Sequence, residues 1–550
     1  MKHLLTIRNL EIEARADEQW KPIVRNVSLT LDRGEVLGLI GESGAGKSTI
    51  GLAAMGYTRT GCRIAGGSVL FNGTELTTAS KEERRKLRGA HIAYMAQSAA
   101  AAFNPAHRLI HQFAEAPVQH GLSDFPRARD KAVALYERLF LPEPGKIGYR
   151  YPHEVSGGQL QRAMVAMSMA CDPDIIIFDE PTTALDVTTQ IEVLTAIREV
   201  TRQGNAGAIY ITHDLAVVAQ LADRIMVLRY GELIEEGNAR ELLADPKQEY
   251  TRELLSSRII GKPQTQSEDK CYTVLEAENI SAGYTKDVTV LDNISFQIER
   301  GKTVAVVGES GSGKTTVARV LTGLLPPSDG KIIFNGKEIS PALKHRDRES
   351  LRRLQMIYQM PDVALNPRHK VRKILGRPLS FYFGTDAKAR ERRILELLEM
   401  IELGPEYMGR YPSELSGGEK QRICIARALA ARPDVIICDE VTSALDQLVA
   451  RGILKLLREL QKELGVSYLF ITHDLATVKA VADEIIVMLQ GKIVERGPKE
   501  DILESPGHEY TELLLSSVPE TDPYWLDRLL KGRGPKFTRC MKYHENLFGR

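Results

Sequence analysis

The sequence predicts an α/β chain made of two similar domains in tandem, and three observations lead to this prediction. Several long segments occur twice at a nearly constant offset. Short apolar runs rich in β-branched residues, VLGLI at 36–40 and TVAVV at 303–307, are typical of buried parallel strands. Each of these runs leads into a glycine-rich loop and then into a helical pattern. We therefore expect a strand–loop–helix core that is built twice.

The repeat covers almost the whole chain. The repeated pairs are GESGAGKST (41–49) with GESGSGKTT (308–316), YPHEVSGGQLQR (151–162) with YPSELSGGEKQR (411–422), IIIFDE (175–180) with VIICDE (435–440), ITHD at 211–214 and 471–474, and ELLADPKQEYTRELLSS (241–257) with DILESPGHEYTELLLSS (501–517). The offset is 267 at Lys47 and Lys314 and 260 at His213 and His473. So small a drift indicates duplicated domains with small insertions rather than a short solenoid repeat. The predicted boundaries are domain one at 1–257, a linker at 258–272, domain two at 273–517 and a C-terminal tail at 518–550.

Composition narrows the class of protein. A chain of 550 residues with 43% hydrophobic and 26% charged residues is ordinary for globular protein with several domains. Its 73 Lys and Arg balance 72 Asp and Glu, which argues against a strongly electrostatic nucleic-acid binder. The six cysteines form no CxxC pair and fit reduced thiols in cytosol. No stretch approaches the roughly 18 to 20 apolar residues that span a bilayer, and the N-terminus lacks a signal peptide's apolar core. Any membrane role is therefore expected to come through a partner.

The glycine-rich loops predict a phosphate-binding site in each domain. Their glycines let backbone N–H groups surround phosphate oxygens, and the helix N-terminus that follows adds positive potential. Lys47 and Lys314 are expected to reach the β- and γ-phosphates, and Ser48 and Thr315 to ligate Mg²⁺. The predicted nucleotide-binding residues of the two loops are Gly41, Gly44, Gly46, Lys47, Ser48, Thr49, Gly308, Gly311, Gly313, Lys314, Thr315 and Thr316.

An Asp-Glu pair ends a buried apolar run in each domain. Asp179 and Asp439 are predicted to hold Mg²⁺, directly or through water. Glu180 and Glu440, one residue later, are predicted to orient or deprotonate the attacking water. A plain acidic turn would be the alternative for such a pair alone. The spacing from the glycine loop and the TALD or SALD sequence that follows favour the catalytic interpretation.

These motifs, together with VSGGQ at 155–159 and LSGGE at 415–419, resemble the ABC ATPase family over about residues 4–257 and 273–517. The resemblance implies two ATP-binding cassettes, each with a RecA-like parallel-sheet core, a small antiparallel β-subdomain and a helical subdomain at about 98–160 or 360–420. It also implies that each ATP lies between one phosphate loop and the opposite signature. One site would then combine Lys47 and Glu180 with Ser416, Gly417 and Gly418, and the other Lys314 and Glu440 with Ser156, Gly157 and Gly158.

The resemblance assigns further residues. Gln97 and Gln359 resemble the Q-loop glutamine that senses magnesium, and His213 and His473 resemble the switch histidine at the γ-phosphate. Asp186 and Asp446 resemble the D-loop aspartate. Every one of these residues is present in both halves, so we expect two hydrolysing sites.

The resemblance also implies an aromatic side chain that stacks on adenine, and the two cassettes differ at this position. Tyr284 fits this role, whereas the aligned position of the first cassette holds Ala14, with Trp20 six residues later. Trp20 either supplies the ring from a longer loop or is an ordinary packing residue. A missing stack would weaken nucleotide binding by roughly 1 kcal/mol.

Finer resemblance favours an importer. The sequences AAFNPAHRL after Gln97 and VALNPRHK after Gln359, and the EYT segments at 249–251 and 509–511, resemble the oligopeptide, dipeptide, nickel and glutathione importer ATPases. For the Asn-Pro pairs a simple turn is the alternative. The importer interpretation implies two integral-membrane permease subunits, a periplasmic or extracellular solute-binding protein and a place on the cytoplasmic face of the inner membrane.

Two other classes remain open at this stage. A tandem ABC ATPase acting on ribosomes or nucleic acid usually has a long charged linker or paired cysteines, which this sequence lacks, so no nucleic-acid partner is expected. An exporter with separate permeases is the other alternative. The basic tail is expected to be solvated, and its lone Cys540 predicts no iron–sulfur cluster.

Overall fold

The computed structural model describes residues 3–16, 18–183, 185–256, 272–285, 288–443 and 445–532. Residues 258–271 of the expected linker at 258–272 and the last part of the tail, 533–550, lie outside the described residues. The chain divides into two compact units. Unit 1 is Met1–Ser256 together with Pro519–Arg550, and unit 2 is Ser257–Val518.

Unit 1 contains two sheets and the helices that cover them. Its strands are β1 (Leu5–Ala16), β2 (Gln19–Leu31), β3 (Val36–Ile40), β4 (Cys62–Phe71), β5 (Thr74–Glu75), β6 (Ile92–Met95), β7 (Ile175–Asp179), β8 (Gly207–Thr212), β9 (Arg224–Arg229) and β10 (Glu232–Asn238). Its helices before the C-terminal segment are α1 (Lys47–Ala53), α2 (Lys81–Leu87), α3 (Ala99–Ala102), α4 (Leu109–Gln119), α5 (Phe125–Arg138), α6 (Pro144–Ile147), α7 (Gly157–Ser168), α8 (Val187–Gly204), α9 (Leu215–Ala219), α10 (Ala239–Ala244) and α11 (Glu249–Ser256).

Unit 2 repeats this order. Its strands are β11 (Thr273–Ala282), β12 (Leu291–Glu299), β13 (Thr303–Val307), β14 (Asp329–Phe334), β15 (Lys337–Glu338), β16 (Leu354–Ile357), β17 (Val435–Asp439), β18 (Ser467–Ile471), β19 (Glu484–Leu489) and β20 (Lys492–Pro498). Its helices are α12 (Lys314–Leu321), α13 (Arg348–Arg353), α14 (Pro361–Ala364), α15 (Val371–Phe383), α16 (Ala387–Met400), α17 (Gly417–Leu429), α18 (Gln447–Leu464), α19 (Leu475–Val481), α20 (Lys499–Glu504) and α21 (Glu509–Ser516).

The sheets have the predicted topology. The core sheet of unit 1 has the strand order β10-β9-β3-β8-β7-β6, and that of unit 2 has β20-β19-β13-β18-β17-β16. All neighbours in these sheets are parallel except the terminal antiparallel pairs β9–β10 and β19–β20. The smaller sheets, β2-β1-β4-β5 and β12-β11-β14-β15, are antiparallel. The predicted α/β fold with parallel cores and antiparallel subdomains is confirmed.

Burial explains why the central strands read as continuous apolar runs. Every residue of β3 and β13 is buried, because helices or the smaller sheet cover both faces of each core sheet. In unit 1 a single apolar cluster joins the antiparallel sheet to the core, with Leu5, Ile12, Val24, Leu39 and Ile211 at or near zero exposure. This packing fixes the carboxyl ends of the parallel strands, where the predicted site residues lie.

The predicted helical subdomains are present in both units. Helices α3 to α6 fill the segment between Gln97 and the signature of unit 1, and α14 to α16 fill it in unit 2. Asn104 and Asn366 each form a turn: their Oδ1 atoms accept hydrogen bonds from the backbone of Ala106 at 3.0 Å and of Arg368 at 2.9 Å. The Asn-Pro pairs are therefore ordinary turns, between α3 and α4 in unit 1 and between α14 and α15 in unit 2.

The C-terminal segment contradicts the expectation of a solvated tail. A last helix, α22 (Trp525–Gly532), belongs to unit 1, and its side chains Trp525, Leu526 and Leu529 are buried. Their apolar side chains favour a packed position over solvent. For residues 519–532 the prediction is wrong.

Candidate functional site

Each glycine-rich loop leaves a fully buried parallel strand and turns sharply into a helix. Gly41 follows β3 and Gly308 follows β13, with φ values of 152° and 150°. A Cβ added to Gly41 would lie 2.1 Å from the carbonyl oxygen of Leu228, and one added to Gly308 would lie 2.3 Å from that of Met488. These two positions therefore require glycine for conformation and for space. The loops bring Lys47 and Lys314 to the start of α1 and α12.

The loop lysines are buried and point back over their own loops. The Nζ atom of Lys47 donates to the carbonyls of Gly41 at 2.7 Å and Glu42 at 2.9 Å. Lys314 makes the same contacts to Gly308 at 2.7 Å and Glu309 at 2.6 Å. A charged ammonium held among backbone groups in this way is placed to pair with an anion at the loop.

The hydroxyl after each lysine meets the aspartate that ends the neighbouring strand. Ser48 Oγ donates to Asp179 Oδ1 at 2.8 Å, and Thr315 Oγ1 donates to Asp439 Oδ1 at 3.2 Å. Burial raises the pKa of the Asp439 carboxyl to about 6. The pairing of one carboxylate with one hydroxyl offers the hard oxygen donors that Mg²⁺ takes when a phosphate supplies further ligands.

The first cassette has one more polar contact at this position. Tyr94, on β6, donates its hydroxyl to Asp179 Oδ2, and burial together with this carboxylate raises the pKa of the tyrosine. The equivalent residue on β16 is Met356, which has no hydroxyl. Sequence reasoning missed Tyr94, although a comparison of YMAQ with MIYQ before the two glutamines would have shown the difference.

Glu180 and Glu440 adopt a backbone conformation that is rare for such residues. Their φ values are 47° and 49°, and their backbone N–H groups both bond to the neighbouring strand at 2.9 Å, to Ile211 and Ile471. Residues held in this region cost of order 1–3 kcal/mol each and cluster at functional sites. The conformation turns each glutamate away from the path of its strand.

Each glutamate contacts the predicted glutamine and the predicted histidine of its own unit. Gln97 Nε2 donates to Glu180 Oε2 at 2.8 Å, and His213 Nδ1 lies 3.2 Å from Glu180 Oε1. In unit 2 the corresponding distances to Glu440 are 2.6 Å from Gln359 and 3.3 Å from His473. The structure thus brings the two glutamines to the glutamates rather than to the aspartates. Their predicted contact with magnesium stays a prediction.

The glutamates and histidines shift each other's ionisation. Burial by itself would raise the pKa of Glu180 and of Glu440, but the facing histidine, the loop lysine and a nearby hydroxyl together outweigh burial and lower it. Burial would lower the pKa of His213 and of His473, but the facing carboxylate and the aspartate that follows each histidine together raise it. Both glutamates are therefore held ionised, as a general base must be.

The signature serines cap the helices that follow them. Ser156 accepts from Gln159 N at 3.2 Å at the start of α7, and Ser416 accepts from Glu419 N at 3.3 Å at the start of α17. The glycines divide into two kinds. A Cβ on Gly158 or Gly418 would lie 2.3 Å from Thr189 or 2.5 Å from Val449. These two glycines therefore permit close packing of helices within each unit.

Gly157 and Gly417 differ from the glycines that follow them. A Cβ on Gly157 would meet nothing within 4 Å, and one on Gly417 would meet only Leu445, at 3.7 Å. The first glycine of each signature therefore leaves its helix N-terminus open to an approaching anion.

The two cassettes differ at the predicted adenine-binding aromatic residue. Tyr284 is 54% exposed, and its hydroxyl lies 3.3 Å from Thr316 Oγ1 beside the phosphate loop. Trp20 lies on strand β2, not in a longer loop, and its ring lies 4.2 Å from the guanidinium of Arg63. Arg63 in turn binds Glu13 at 2.8 Å. Trp20 is thus part of a surface cluster on the antiparallel sheet, which favours the packing interpretation.

The repeated EYT segments support the phosphate loops. Tyr250 Oη accepts a hydrogen bond from Glu42 N at 3.3 Å, and Tyr510 Oη accepts one from Glu309 N at 2.9 Å. Sequence reasoning recognised the repeated segment but not this contact. The segment after each cassette therefore reaches back to the glycine-rich loop of its own cassette.

Two kinds of structural feature are absent from the described residues. No helix among them is both long enough and apolar enough to cross a membrane. Within the same ranges, no three His, Cys, Asp or Glu side chains are grouped so that they could hold a metal ion among themselves.

Comparison with known proteins gives consistent matches. A family model described as "ABC transporter" matches residues 24–183 and 291–443, and one described as "Oligopeptide/dipeptide transporter, C-terminal region" matches residues 494–543. The protein named "Glutathione import ATP-binding protein GsiA" of Salmonella choleraesuis is 38% identical over 95% of this chain and 90% of its own length. Its namesake from Pectobacterium atrosepticum is 37% identical with the same coverage.

A solved structure agrees with the fold. The structure of the complex of archaeal ribosomal stalk protein aP1 and archaeal ribosome recycling factor aABCE1 matches with a TM-score of 0.58 at 20% identity, covering 88% of each chain. At that identity the match shows the fold alone. The motifs and the comparisons agree with one another. Both units have a glycine-rich loop and an Asp-Glu pair, the family model matches both cassettes, and the relatives match over nearly the whole chain. The chain is a tandem ATPase that belongs to the ABC transporter family.

Proposed function

We propose that this chain is the ATP-hydrolysing subunit of an importer for glutathione, a peptide or a related small solute. The observation that supports it most strongly is the match of residues 494–543 to the C-terminal region of oligopeptide and dipeptide transporters. That region is separate from the ATPase motifs, which many transport tasks share. The relatives named as glutathione import proteins extend over nearly the whole chain.

ATP is bound with Mg²⁺ in this proposal. Lys47 and Lys314 pair with the β- and γ-phosphates, and the backbone N–H groups of the loops hold the same oxygens. Ser48 with Asp179, and Thr315 with Asp439, supply oxygen ligands to the ion. When bound there, Mg²⁺ would supply neutralisation of the phosphate charge.

Hydrolysis depends on Glu180 and Glu440 as the groups that orient and deprotonate water. In each unit the glutamate is held by a glutamine and a histidine, so it is ionised and fixed in direction before nucleotide arrives. We expect His213 and His473 to contact the γ-phosphate when nucleotide is bound. Stacking of Tyr284 on adenine would add affinity in the second cassette only.

Replacing Tyr94 by phenylalanine is expected to weaken divalent metal binding in the first cassette about tenfold, which is typical for loss of an outer-shell partner of a metal ligand. The hydroxyl bonds to Asp179 Oδ2 and leaves Oδ1, next to Ser48, for the ion, so it fixes the carboxylate without competing. Spin resonance of Mn²⁺ titrated into the ATP-bound chain measures this affinity directly.

Met356→Leu is the matched control for Tyr94→Phe, because Met356 occupies the equivalent strand position and makes no polar contact with Asp439. It should leave Mn²⁺ affinity unchanged. Equal effects of the two substitutions would show that strand packing, not the tyrosine hydroxyl, governs metal affinity.

The proposed partners are two integral-membrane permease subunits and a solute-binding protein on the far side of the membrane. The chain itself would then be peripheral, on the cytoplasmic face of the inner membrane. Action on ribosomes or nucleic acid is the weaker alternative, since residues 494–543 match a transporter region and the net charge is only +1.

The test is co-purification of partners with a trapped form of the chain. A tagged Glu180→Gln, Glu440→Gln double variant is purified from detergent-solubilised cells with ATP and Mg²⁺, and mass spectrometry identifies what accompanies it. Two multi-span permeases are the expected result, and uptake assays with labelled glutathione and peptides then select the solute. Recovery of ribosomes or DNA-processing proteins without permeases would overturn the import proposal and leave the ATPase assignment intact.

A further inference from the structure

The C-terminal segment Pro519–Gly532, here called the docking segment, packs on the first cassette although it follows the second cassette in the chain. Unit 1 comprises both the first cassette and this segment. The last helix of unit 2, α21, ends at Ser516, and the docking segment begins three residues later. The chain therefore enters unit 1 twice, once at its start and once near its end.

A buried glutamine holds the docking segment by three hydrogen bonds. Gln220, at the C-terminal end of α9, is 6% exposed. Its Nε2 atom donates to the carbonyls of Glu520 at 2.7 Å and Asp522 at 2.9 Å. Its Oε1 atom accepts from Leu526 N at 3.1 Å. Both ends of one side-chain amide are thus satisfied by backbone of the segment, which fixes its position along the surface.

Charged and apolar contacts add to those of Gln220, and the first-cassette residues Gln220, Arg198 and Arg240 are here called the docking surface. Arg198, on α8, donates to Asp527 at 2.8 Å, and the guanidinium of Arg240 lies 5.0 Å from the ring of Tyr524. Leu526 has no exposed surface and Trp525 is 5% exposed. Buried apolar side chains supply most of the free energy of such contacts, and the polar groups fix the register.

The second cassette lacks this surface. The residue that corresponds to Gln220 is Ala480, and the residue that corresponds to Arg240 is Glu500. Ala480 has no side-chain amide, and a carboxylate at 500 cannot offer a cation to an aromatic ring. Only Arg458, the counterpart of Arg198, is kept. The docking surface is therefore a particular feature of the first cassette and not a general property of the repeated fold.

We propose that the docking segment is an intramolecular clasp that joins the C-terminal end of the second cassette to the first cassette. The two cassettes then have two connections, the expected linker at 258–272 and the clasp. A second connection keeps the two cassettes at a high effective concentration relative to each other, even when nucleotide is absent. The inference rests on contacts within unit 1 and holds whichever solute or partner the chain serves.

The experiment is to cut the linker and ask whether the halves stay together. A specific protease site is placed within 258–271 of the full chain, and the cleaved protein is analysed by size-exclusion chromatography with light scattering, in chelator and without nucleotide. The two fragments are expected to elute as one complex. Elution as separate fragments would overturn the proposal.

Variants of the clasp give the second half of the test. Leu526→Asp, which places a charge in a fully buried position, and Gln220→Ala are both expected to make the cleaved fragments separate. Arg198→Ala removes the contact with Asp527 and is expected to weaken the association, whereas Arg458→Ala, its counterpart in the second cassette, should leave the fragments together. Fragments that stay together in Leu526→Asp and in Gln220→Ala would show that other contacts hold them, and the clasp would be rejected.

Fluorescence distinguishes release of the clasp from a failure to fold. The chain has two tryptophans, Trp20 and Trp525, so Trp20→Phe leaves Trp525 as the reporter in uncleaved protein. Trp525 is expected to emit at short wavelength and to shift to longer wavelength when Gln220→Ala is added, while circular dichroism stays unchanged. An unshifted emission in that variant would contradict the proposed role of Gln220.

Discussion

Replacing both Glu180 and Glu440 by glutamine is expected to lower the steady-state rate of ATP hydrolysis by about 10²–10⁴, the usual contribution of a general base. Glutamine keeps the size and the hydrogen-bonding capacity of the side chain but cannot take a proton. Each glutamate stands at the end of a buried strand and contacts a histidine and a glutamine of its own unit. The measurement is phosphate release by purified chain at saturating ATP.

The single variants test whether both sites hydrolyse. Because the two glutamates have matching φ values and matching partners, Glu180→Gln and Glu440→Gln should each reduce turnover to about half or less, and to a similar degree. Glu137→Gln and Glu399→Gln change exposed carboxylates on α5 and α16 and serve as controls. Wild-type turnover in Glu180→Gln alone would contradict the expectation of two active sites.

Replacing Lys47 or Lys314 by alanine is expected to weaken ATP binding at the affected site by about 2–3 kcal/mol, roughly 30- to 150-fold in Kd, as for loss of a hydrogen bond between charged groups. Both ammonium groups are buried over their loops, where water cannot replace them efficiently. Each lysine substitution is made in the Glu180→Gln, Glu440→Gln double variant. Titration of ATP with Mg²⁺ then measures binding without turnover.

Lys86→Ala and Lys455→Ala remove exposed lysines from the two units and should leave ATP affinity unchanged. The lysine variants should also keep the circular dichroism of the parent chain. If Lys47→Ala bound ATP as tightly as Lys86→Ala in both sites, the first glycine loop would not be a phosphate loop.

Most of the fold could be predicted because the repeat and the strand–loop–helix pattern are local in sequence. The runs at 36–40 and 303–307 became the central strands β3 and β13 because only a strand covered on both faces tolerates an uninterrupted apolar run. The sequence also predicts that the glycine-rich loops, the Asp-Glu pairs and the ITHD histidines lie near one another. All three follow parallel strands, whose carboxyl ends meet at one edge of the sheet.

What the sequence did not reveal depends on contacts between distant residues. Tyr94 approaches Asp179 only because β6 and β7 pair, and Tyr250 reaches Glu42 N from 208 residues away. Trp20 was placed by the register of β1 and β2, which sets its side chain beside Arg63. The docking segment had no counterpart in the first half of the chain, so the repeat gave no guide to its position.

The most direct test of the central claim is the amount of ATP held by the Glu180→Gln, Glu440→Gln double variant. Purified chain is incubated with radiolabelled ATP and Mg²⁺, free nucleotide is removed by rapid gel filtration, and bound nucleotide is counted per chain. Two unhydrolysed ATP molecules per chain are expected, since each cassette has a glycine-rich loop with its lysine, an Asp-Glu pair and an ITHD histidine. A plateau at one ATP per chain would contradict the account of two working sites.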